Sequence, residues 1–259
     1  MAAVHSILPG TLTRVVEEVT AAAGVAHVAH GDADPVRAAI AAADDPQARV
    51  VIGPFRSRAV AEAVEVTAGV GLAMIAPVAT WVGVTRDDEP GCEDDPARHR
   101  GTMLRMVARD SVVARRITDR IRDANQRAVV IAGKHEYGEQ LDAQLADCGL
   151  PRTDAVDADV VVLAGLAGHE EIQRARALAP MPIIAFDGIQ PEKFPGQPVT
   201  IVLVYAATDQ GVGASETRRA AELVVAALAG DDTLNSLRAL GPFDEHGDLL
   251  DPLIRFEAY

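Results

Sequence analysis

Short runs of β-branched and other apolar residues alternate along the chain with amphipathic stretches of about 10–15 residues. This alternation is typical of βαβ units, in which a helix connects each strand to the next parallel strand. Residues 129–131 (VVI) and 160–163 (VVVL) lack polar alternation, as expected for strands that helices cover on both faces. The pattern predicts strands at Ala3–Ile7, Val25–His30, Arg49–Gly53, Leu72–Ala76, Met103–Val107, Ala128–Ala132, Asp159–Ala164, Ile183–Phe186, Val199–Tyr205 and Leu253–Ala258.

The amphipathic stretches between these strands predict the helices. Asp34 followed by Pro35 is a strong helix start, because Asp caps backbone N–H groups and Pro suits the first helical position. The predicted helices are Thr11–Ala23, Pro35–Ala43, Ala59–Ala68, Ser111–Ala124, Glu139–Cys148, Glu170–Ala179 and Thr217–Ala229. After the last of these helices we expect a turn-rich stretch and then the final strand.

An acidic, irregular segment from Trp81 to Gly101 separates two blocks of strand–helix units. We therefore predict an α/β fold with two Rossmann-like lobes, each a parallel sheet flanked by helices. The chain crosses the hinge between the lobes more than once. Lobe 1 is expected to contain residues 1–107 and about 210–240, and lobe 2 residues 108–209 and about 241–259.

The composition excludes several classes of function. The formal net charge of −14 disfavours nucleic acid and anionic membranes as partners, because both repel an acidic surface. No apolar run reaches the roughly 18 residues that a membrane-spanning helix needs. Residues 1–10 lack the features of a signal peptide, so the chain as written is expected in the cytoplasm, or exported if a signal precedes it. Cys92 and Cys148 leave open one disulfide or two thiols.

Motifs that carry catalysis are missing from the sequence. It contains no phosphate-binding GxxxxGK[ST] loop, no GxSxG elbow and no HExxH. Gly211-Val212-Gly213 departs from a dinucleotide fingerprint, since Glu216 replaces the third glycine. His27 and His30 are three apart on a predicted strand and so should face opposite sides of the sheet. We predict no catalytic residue, no metal site and no cofactor.

Four segments, in order along the chain, carry a family resemblance. They are residues 50–57 (VVIGPFRS), residues 74–80 (MIAPVAT), a block with Arg105, Arg109-Asp110-Ser111, Val129-Val130-Ile131 and Glu136-Tyr137-Gly138-Glu139, and residues 241–248 (GPFDEHGD). Together they resemble the branched-chain amino-acid (Leu/Ile/Val) binding proteins of bacterial ABC importers, which have the class I periplasmic binding protein fold. The resemblance covers about residues 50–259.

The resemblance implies ligand contacts from two loops of lobe 1. The Ser57 hydroxyl and the start of the following helix would hold a carboxylate, or Ser57 would only cap that helix. Ala79 would supply a carbonyl for an ammonium, and Thr80 a hydroxyl and an N–H for a carboxylate; the alternative is a plain turn. Trp81 would line or cover the pocket, or shield the edge of the core.

Two further contacts are implied from lobe 2. Tyr137 corresponds to a tyrosine that closes over the ligand in the family, with packing in the core as the alternative. Asp187 stands where the family usually has a glutamate that pairs with an α-ammonium, with a turn or cap role as the alternative. An aspartate there is one methylene shorter than the glutamate.

Departures from the family bear on function. The loop after the first strand (Pro9-Gly10-Thr11) is short, and residues 165–168 lack an aromatic that often lines the pocket. The leading hypothesis is a non-enzymatic solute-binding protein for an amino acid or similar zwitterion, with an importer permease or a regulatory protein as partner. The alternatives are a cytoplasmic sensor, sequestering or interaction protein with a changed or decayed pocket, and, with least support, an α/β enzyme.

Overall fold

A computed structural model places most of the chain. It describes residues 2–31, 33–85, 102–186, 189–205, 213–230, 232–241, 243–244 and 246–259. None of the helices in these ranges has the length and apolarity needed to cross a bilayer. Asp187, most of the acidic segment predicted after Trp81, and the first two residues of Gly211-Val212-Gly213 lie outside the described residues.

The chain forms two compact units. Unit 1 contains the described residues of Met1–Asp88, Asp95–Arg109 and Tyr205–Leu253, and unit 2 those of Asp110–Val204 and Ile254–Tyr259. Residues 241–253 therefore lie in unit 1, whereas we expected them in lobe 2. The reason is that the backbone N–H of Arg105, on a strand of unit 1, donates to the carbonyl of Gly247 at 2.8 Å.

Unit 1 is a parallel sheet with helices on both faces. Its strands are β1 (Ala3–Ser6), β2 (Ala26–Ala29), β3 (Ala48–Ile52), β4 (Ala73–Ala76) and β5 (Met103–Arg105), in the order β2-β1-β3-β4-β5. Its helices are α1 (Gly10–Ala22), α2 (Pro35–Asp44), α3 (Ser57–Gly69), α7 (Ala214–Ala227) and α8 (Thr233–Leu240). Every strand pair in the described part of this sheet is parallel.

Successive residues of the central strands enter two different cores. Val50 and Ile52 pack in a core with α1, α7 and α8, while Val51 between them packs in a core with α2 and α3. Because side chains alternate across a strand, a strand covered on both faces must be apolar at every position. This accounts for the uninterrupted apolar runs in the sequence.

Unit 2 repeats this design with one antiparallel edge. Its strands are β6 (Ala128–Ala132), β7 (Val160–Ala164), β8 (Ile183–Phe186), β9 (Val199–Leu203) and β10 (Arg255–Ala258), in the order β10-β9-β8-β7-β6. Its helices are α4 (Asp110–Asp123), α5 (Glu136–Asp147) and α6 (His169–Arg176). Strand β10 pairs antiparallel with β9, and the other strands are parallel.

The predicted elements are confirmed except at one place. All ten predicted strands and all seven predicted helices are found within a few residues of their expected bounds. The prediction of a turn-rich stretch after α7 is wrong, because the short helix α8 lies there. Asp232 caps α8 by accepting from the backbone N–H of Asn235 at 3.0 Å, and Leu237 anchors it in the core.

Cys148, just after α5, is disulfide-bonded, and Cys92 lies outside the described residues.

Candidate functional site

The residues that the resemblance assigns to lobe 1 lie in two neighbouring loops of unit 1. Ser57 begins α3 directly after the β3 loop, and Ala79, Thr80 and Trp81 follow β4. Since β3 and β4 are parallel neighbours, their carboxyl ends lie at the same edge of the sheet. Ligands of open α/β sheets bind at this edge. The structure thus brings these predicted residues together.

Ser57 joins the two loops through its hydroxyl oxygen. Ser57 Oγ accepts hydrogen bonds from the backbone N–H groups of Thr80 at 3.2 Å and Trp81 at 3.4 Å. The N-cap of α3 is Arg56, so the interpretation of Ser57 as the helix cap is wrong. The Thr80 N–H, expected to bind a carboxylate, donates to Ser57 instead.

These hydrogen bonds decide what Ser57 can offer to a ligand. A serine hydroxyl has two acceptor lone pairs and one donor hydrogen. Both lone pairs of Ser57 face backbone donors, so a ligand meets the O–H as a donor. No side chain in the described part of the chain caps α3, whose first turn presents backbone N–H groups beside Ser57. Both features suit an anionic group.

Ala79 is buried, and its carbonyl already has a partner. The guanidinium of Arg105 donates from Nη1 to this carbonyl oxygen at 3.1 Å. Arg105 is itself completely buried at the end of β5. A carbonyl oxygen has two lone pairs, so the expected contact between Ala79 and a ligand ammonium stays a prediction for the second one.

Arg105 belongs to a buried ionic network whose extent sequence reasoning missed. Arg105 Nε lies 3.0 Å from Asp248 Oδ1, and Arg109 Nη1 lies 2.9 Å from Asp248 Oδ2. The Thr85 hydroxyl donates to Asp248 Oδ1 at 2.8 Å and accepts from Arg105 Nη2 at 2.8 Å. The network holds the loop after β4 and the Gly247-Asp248 turn against β5. Its sequence signal was the pair of charged motifs at residues 105–109 and 244–248.

Trp81 has contacts that favour its structural interpretation. Its side chain is half-buried and packs against the unit 1 core formed with α2 and α3. Shielding the edge of this core is therefore an observed role of the ring. A contact with a ligand through its exposed part stays a prediction.

In unit 2, Tyr137 lies in the first turn of α5, directly after the β6–α5 loop. The ring is half-buried, and its hydroxyl donates to Asp110 Oδ1 at 3.3 Å. Asp110, the first residue of α4, is buried. Tyr137 is thus held at its hydroxyl end, and its contact with a ligand stays a prediction.

A second cluster of titratable groups lies in unit 1. His5 on β1 is buried, and its Nδ1 lies 3.0 Å from His30 Nε2 while its Nε2 lies 3.0 Å from Asp45 Oδ2. The Gln47 backbone N–H and then His5 hold the pKa of Asp45 below its usual value, so this carboxylate only accepts. His5 Nε2 must therefore donate to this carboxylate.

Burial disfavours the charged form of His27 on β2 and of His30 just after it. His27 Nε2 is hydrogen-bonded to Ser6 Oγ at 2.8 Å, so His27 and His30 contact adjacent residues of β1 and face opposite sides, as predicted. Burial lowers the pKa of both histidines, with Glu17 opposing this at His27. Among the described residues, no group of three or more His, Cys, Asp or Glu is arranged to hold a metal ion.

We expect unit 1 to lose stability as the pH falls below about 6.5, the usual histidine pKa. In that range the unfolded chain binds more protons than the folded chain, because folding lowers the pKa of His27 and His30. Urea unfolding at pH 7.5, 6.5 and 5.5, followed by the fluorescence of Trp81, measures the effect. These conditions stay above the range in which Asp45 titrates.

The double variant His27→Asn/His30→Asn should show a smaller pH dependence than the parent. His169→Asn, at an exposed histidine of unit 2, is the control and should leave it unchanged. Stability that rises on acidification would contradict the assignment.

The fold is that of the class I periplasmic binding proteins, as the resemblance predicted. A substrate-binding protein of an ABC transporter from Desulfitobacterium hafniense, in complex with Leu, superposes with a TM-score of 0.75 at 19% identity, over 100% of this chain and 99% of that chain. The leucine-binding protein LivK of Thermotoga maritima gives a TM-score of 0.72 at 15% identity, over 99% and 98% of the two chains.

A third match is the substrate-binding protein LivJ of a branched-chain amino acid transporter from Streptococcus pneumoniae, in complex with isoleucine. Its TM-score is 0.70 at 13% identity, over 99% of this chain and 100% of that chain. These neighbours are binding proteins rather than enzymes. No protein-family model matches the sequence, and no curated protein matches it.

Proposed function

We propose that this chain is a non-enzymatic solute-binding protein for an amino acid or a similar small zwitterion. The observation that carries the proposal is the position of Ser57, whose hydroxyl links the loops after β3 and β4 at the carboxyl edge of the unit 1 sheet. Its hydroxyl accepts from Thr80 and Trp81, so it presents a donor to a ligand, beside the start of α3. A donor hydroxyl and free helix N–H groups together recognise a carboxylate.

Other features support the zwitterionic part of the proposal. Tyr137 lies at the corresponding edge of unit 2, and Asp187 follows β8 in sequence, where its carboxylate would neutralise an ammonium. Solved proteins of the same fold, matched over the full length of this chain, hold leucine or isoleucine. We therefore assign the carboxylate to Ser57 and Thr80, the ammonium to Ala79 and Asp187, and the ligand body to Tyr137 and Trp81.

We also propose export and delivery of the ligand to an importer permease. Two of the fold neighbours are substrate-binding proteins of ABC transporters. Fractionation of cells that express the natural gene tests the location, and recovery of the protein only with the cytoplasm would contradict export.

The binding test is a thermal-shift and calorimetric titration of the purified protein with leucine, isoleucine and valine. At about 100 times its dissociation constant a ligand adds roughly 2.7 kcal/mol of stability. For a chain of this size that raises Tm by roughly 5–10 °C. Absence of a shift with every amino acid tested would overturn the proposal.

Two leucine analogues and one variant locate the carboxylate contact. 4-Methylpentanoate keeps the carboxylate without the ammonium, and 3-methylbutylamine keeps the ammonium without the carboxylate. Ser57→Ala should weaken leucine and 4-methylpentanoate by about 10–100-fold, as for a hydrogen bond to a charged group, and leave any amine binding unchanged. Thr67→Ala, which removes a hydroxyl near the opposite end of α3, is the control. Equal losses for acid and amine would contradict the role of Ser57.

A further inference from the structure

Three glycines of unit 2 meet beneath the first turn of α5. Gly133 lies in the β6–α5 loop, Gly138 in α5 itself and Gly165 directly after β7. A Cβ atom on Gly133 would overlap the carbonyl of Leu166, and one on Gly138 would overlap the carbonyl of Gly133. The two loops and the helix start are therefore in backbone-to-backbone contact, which no other residue type permits.

Gly165 is the member of this group that faces Tyr137. A Cβ atom there would lie 2.8 Å from Gly138 Cα, 3.0 Å from Gly138 N and 3.4 Å from Cδ1 of the Tyr137 ring. The residue has a φ of +79°, in the left-handed region that glycine adopts without cost. The ring is thus bounded by Gly165 along one edge, while its hydroxyl is held by Asp110.

An ion pair closes the same junction on its outer side. Lys134 Nζ lies 2.5 Å from Glu170 Oε2, which links the β6–α5 loop to the first turn of α6. Both side chains are more than half exposed, so this pair alone contributes little. The position of the first turn of α5 therefore depends on the close contact between Gly165 and Gly138 rather than on the Lys134–Glu170 ion pair.

We propose that Gly165 is a positioning residue for the ligand: by lacking a side chain it fixes the first turn of α5 and so the ring of Tyr137. The inference rests on the proposed function, in which Tyr137 contacts the ligand. A side chain at residue 165 must push Gly138 away, since Gly138 Cα and N are backbone atoms that cannot rotate aside. The α5 turn that would move carries the Tyr137 ring.

The test compares Gly165→Ala with Gly196→Ala in L-leucine titrations. Gly196 is also in unit 2 and has a φ of +77°, but no atom lies within 4 Å of its Cβ position. Both variants carry the same backbone strain, and only Gly165→Ala displaces the α5 turn. We expect Gly165→Ala to raise the leucine Kd about tenfold or more and Gly196→Ala to change it less than twofold. Equal effects of the two would overturn the proposal.

A double-mutant cycle tests whether Gly165 affects leucine binding through the ring of Tyr137. In the Tyr137→Ala background, Gly165→Ala should have no further effect on the leucine Kd, because the group it positions is gone. Fully additive losses would overturn the proposal. Should Gly165→Ala not accumulate as folded protein, Gly165→Asn replaces it, since Asn tolerates left-handed backbone better and keeps the Cβ contact.

A measurement without ligand separates this inference from the proposed function. The chain has three tyrosines, so ring-labelled tyrosine gives a simple NMR spectrum in which Tyr137 is assigned by Tyr137→Phe. Gly165→Ala should shift the Tyr137 ring signals, and Gly196→Ala should not. Unmoved signals would overturn the positioning role even if leucine binds. Moved signals in a protein that binds no amino acid would instead contradict the proposed function.

Discussion

Replacing Asp248 by alanine is expected to destabilise unit 1 by about 3–5 kcal/mol, since it removes the carboxylate of a buried ion pair with Arg105. Arg105 is completely buried and keeps its cation 3.0 Å from Asp248 Oδ1. The same carboxylate pairs with Arg109 and accepts from Thr85. Urea unfolding followed by the fluorescence of Trp81, the chain's only tryptophan, measures the loss in this unit.

Two matched variants make this test specific. Glu18→Ala breaks an exposed ion pair with Arg218 in the same unit and should cost at most about 1 kcal/mol. Asp248→Ala combined with Arg105→Met should recover part of the loss, because the buried cation is removed together with the carboxylate that pairs with it. If Asp248→Ala and Glu18→Ala had equal effects, Asp248 would not hold a buried charge.

Replacing Gly247 by alanine should also destabilise unit 1 strongly, by about 3 kcal/mol or more. Gly247 has a φ of +89°, and a Cβ atom there would overlap the carbonyl oxygen of Met103 on β5. The turn cannot move aside without breaking the hydrogen bond from the Arg105 N–H to the Gly247 carbonyl. The same urea titration measures the loss.

Gly24→Ala is the control for this variant. Gly24 is in unit 1 with a φ of +67°, and nothing lies within 4 Å of its Cβ position. It should therefore show only the backbone strain, of about 1–2 kcal/mol. A Gly247→Ala loss no larger than the Gly24→Ala loss would show that the close approach to Met103 contributes nothing.

Much of the candidate site in unit 1 could be predicted from the sequence. Ser57 and Thr80 follow successive predicted strands of one parallel sheet, and the carboxyl ends of such strands lie at the same edge. Which hydrogen bonds they make could not be predicted. The Thr80 N–H donates to Ser57, and the Ala79 carbonyl accepts from Arg105, because loop backbones settle against whichever donors the folded core brings near.

The errors have a common cause in weak local signals. Helix α8 spans eight residues, which is too short for its periodicity to stand out from the turns around it. Residues 241–253 were assigned to the wrong lobe because nothing in their local pattern indicates which sheet they contact. Their position depends on Asp248, which pairs with Arg109 across 139 residues of sequence.

The sequence by itself determined the alternation of strands and helices, two mainly parallel sheets and the sheet edge at which polar loops gather, but not the antiparallel pairing of β10 with β9. These follow from local periodicity, since a strand buried on both faces must be apolar throughout. Only the tertiary structure decided that Ser57 presents a donor, that Arg105 and Asp248 meet, and that Gly165 underlies Tyr137. Such contacts join residues distant in sequence, and their energies depend on burial and on distances of a few tenths of an ångström that no local pattern records.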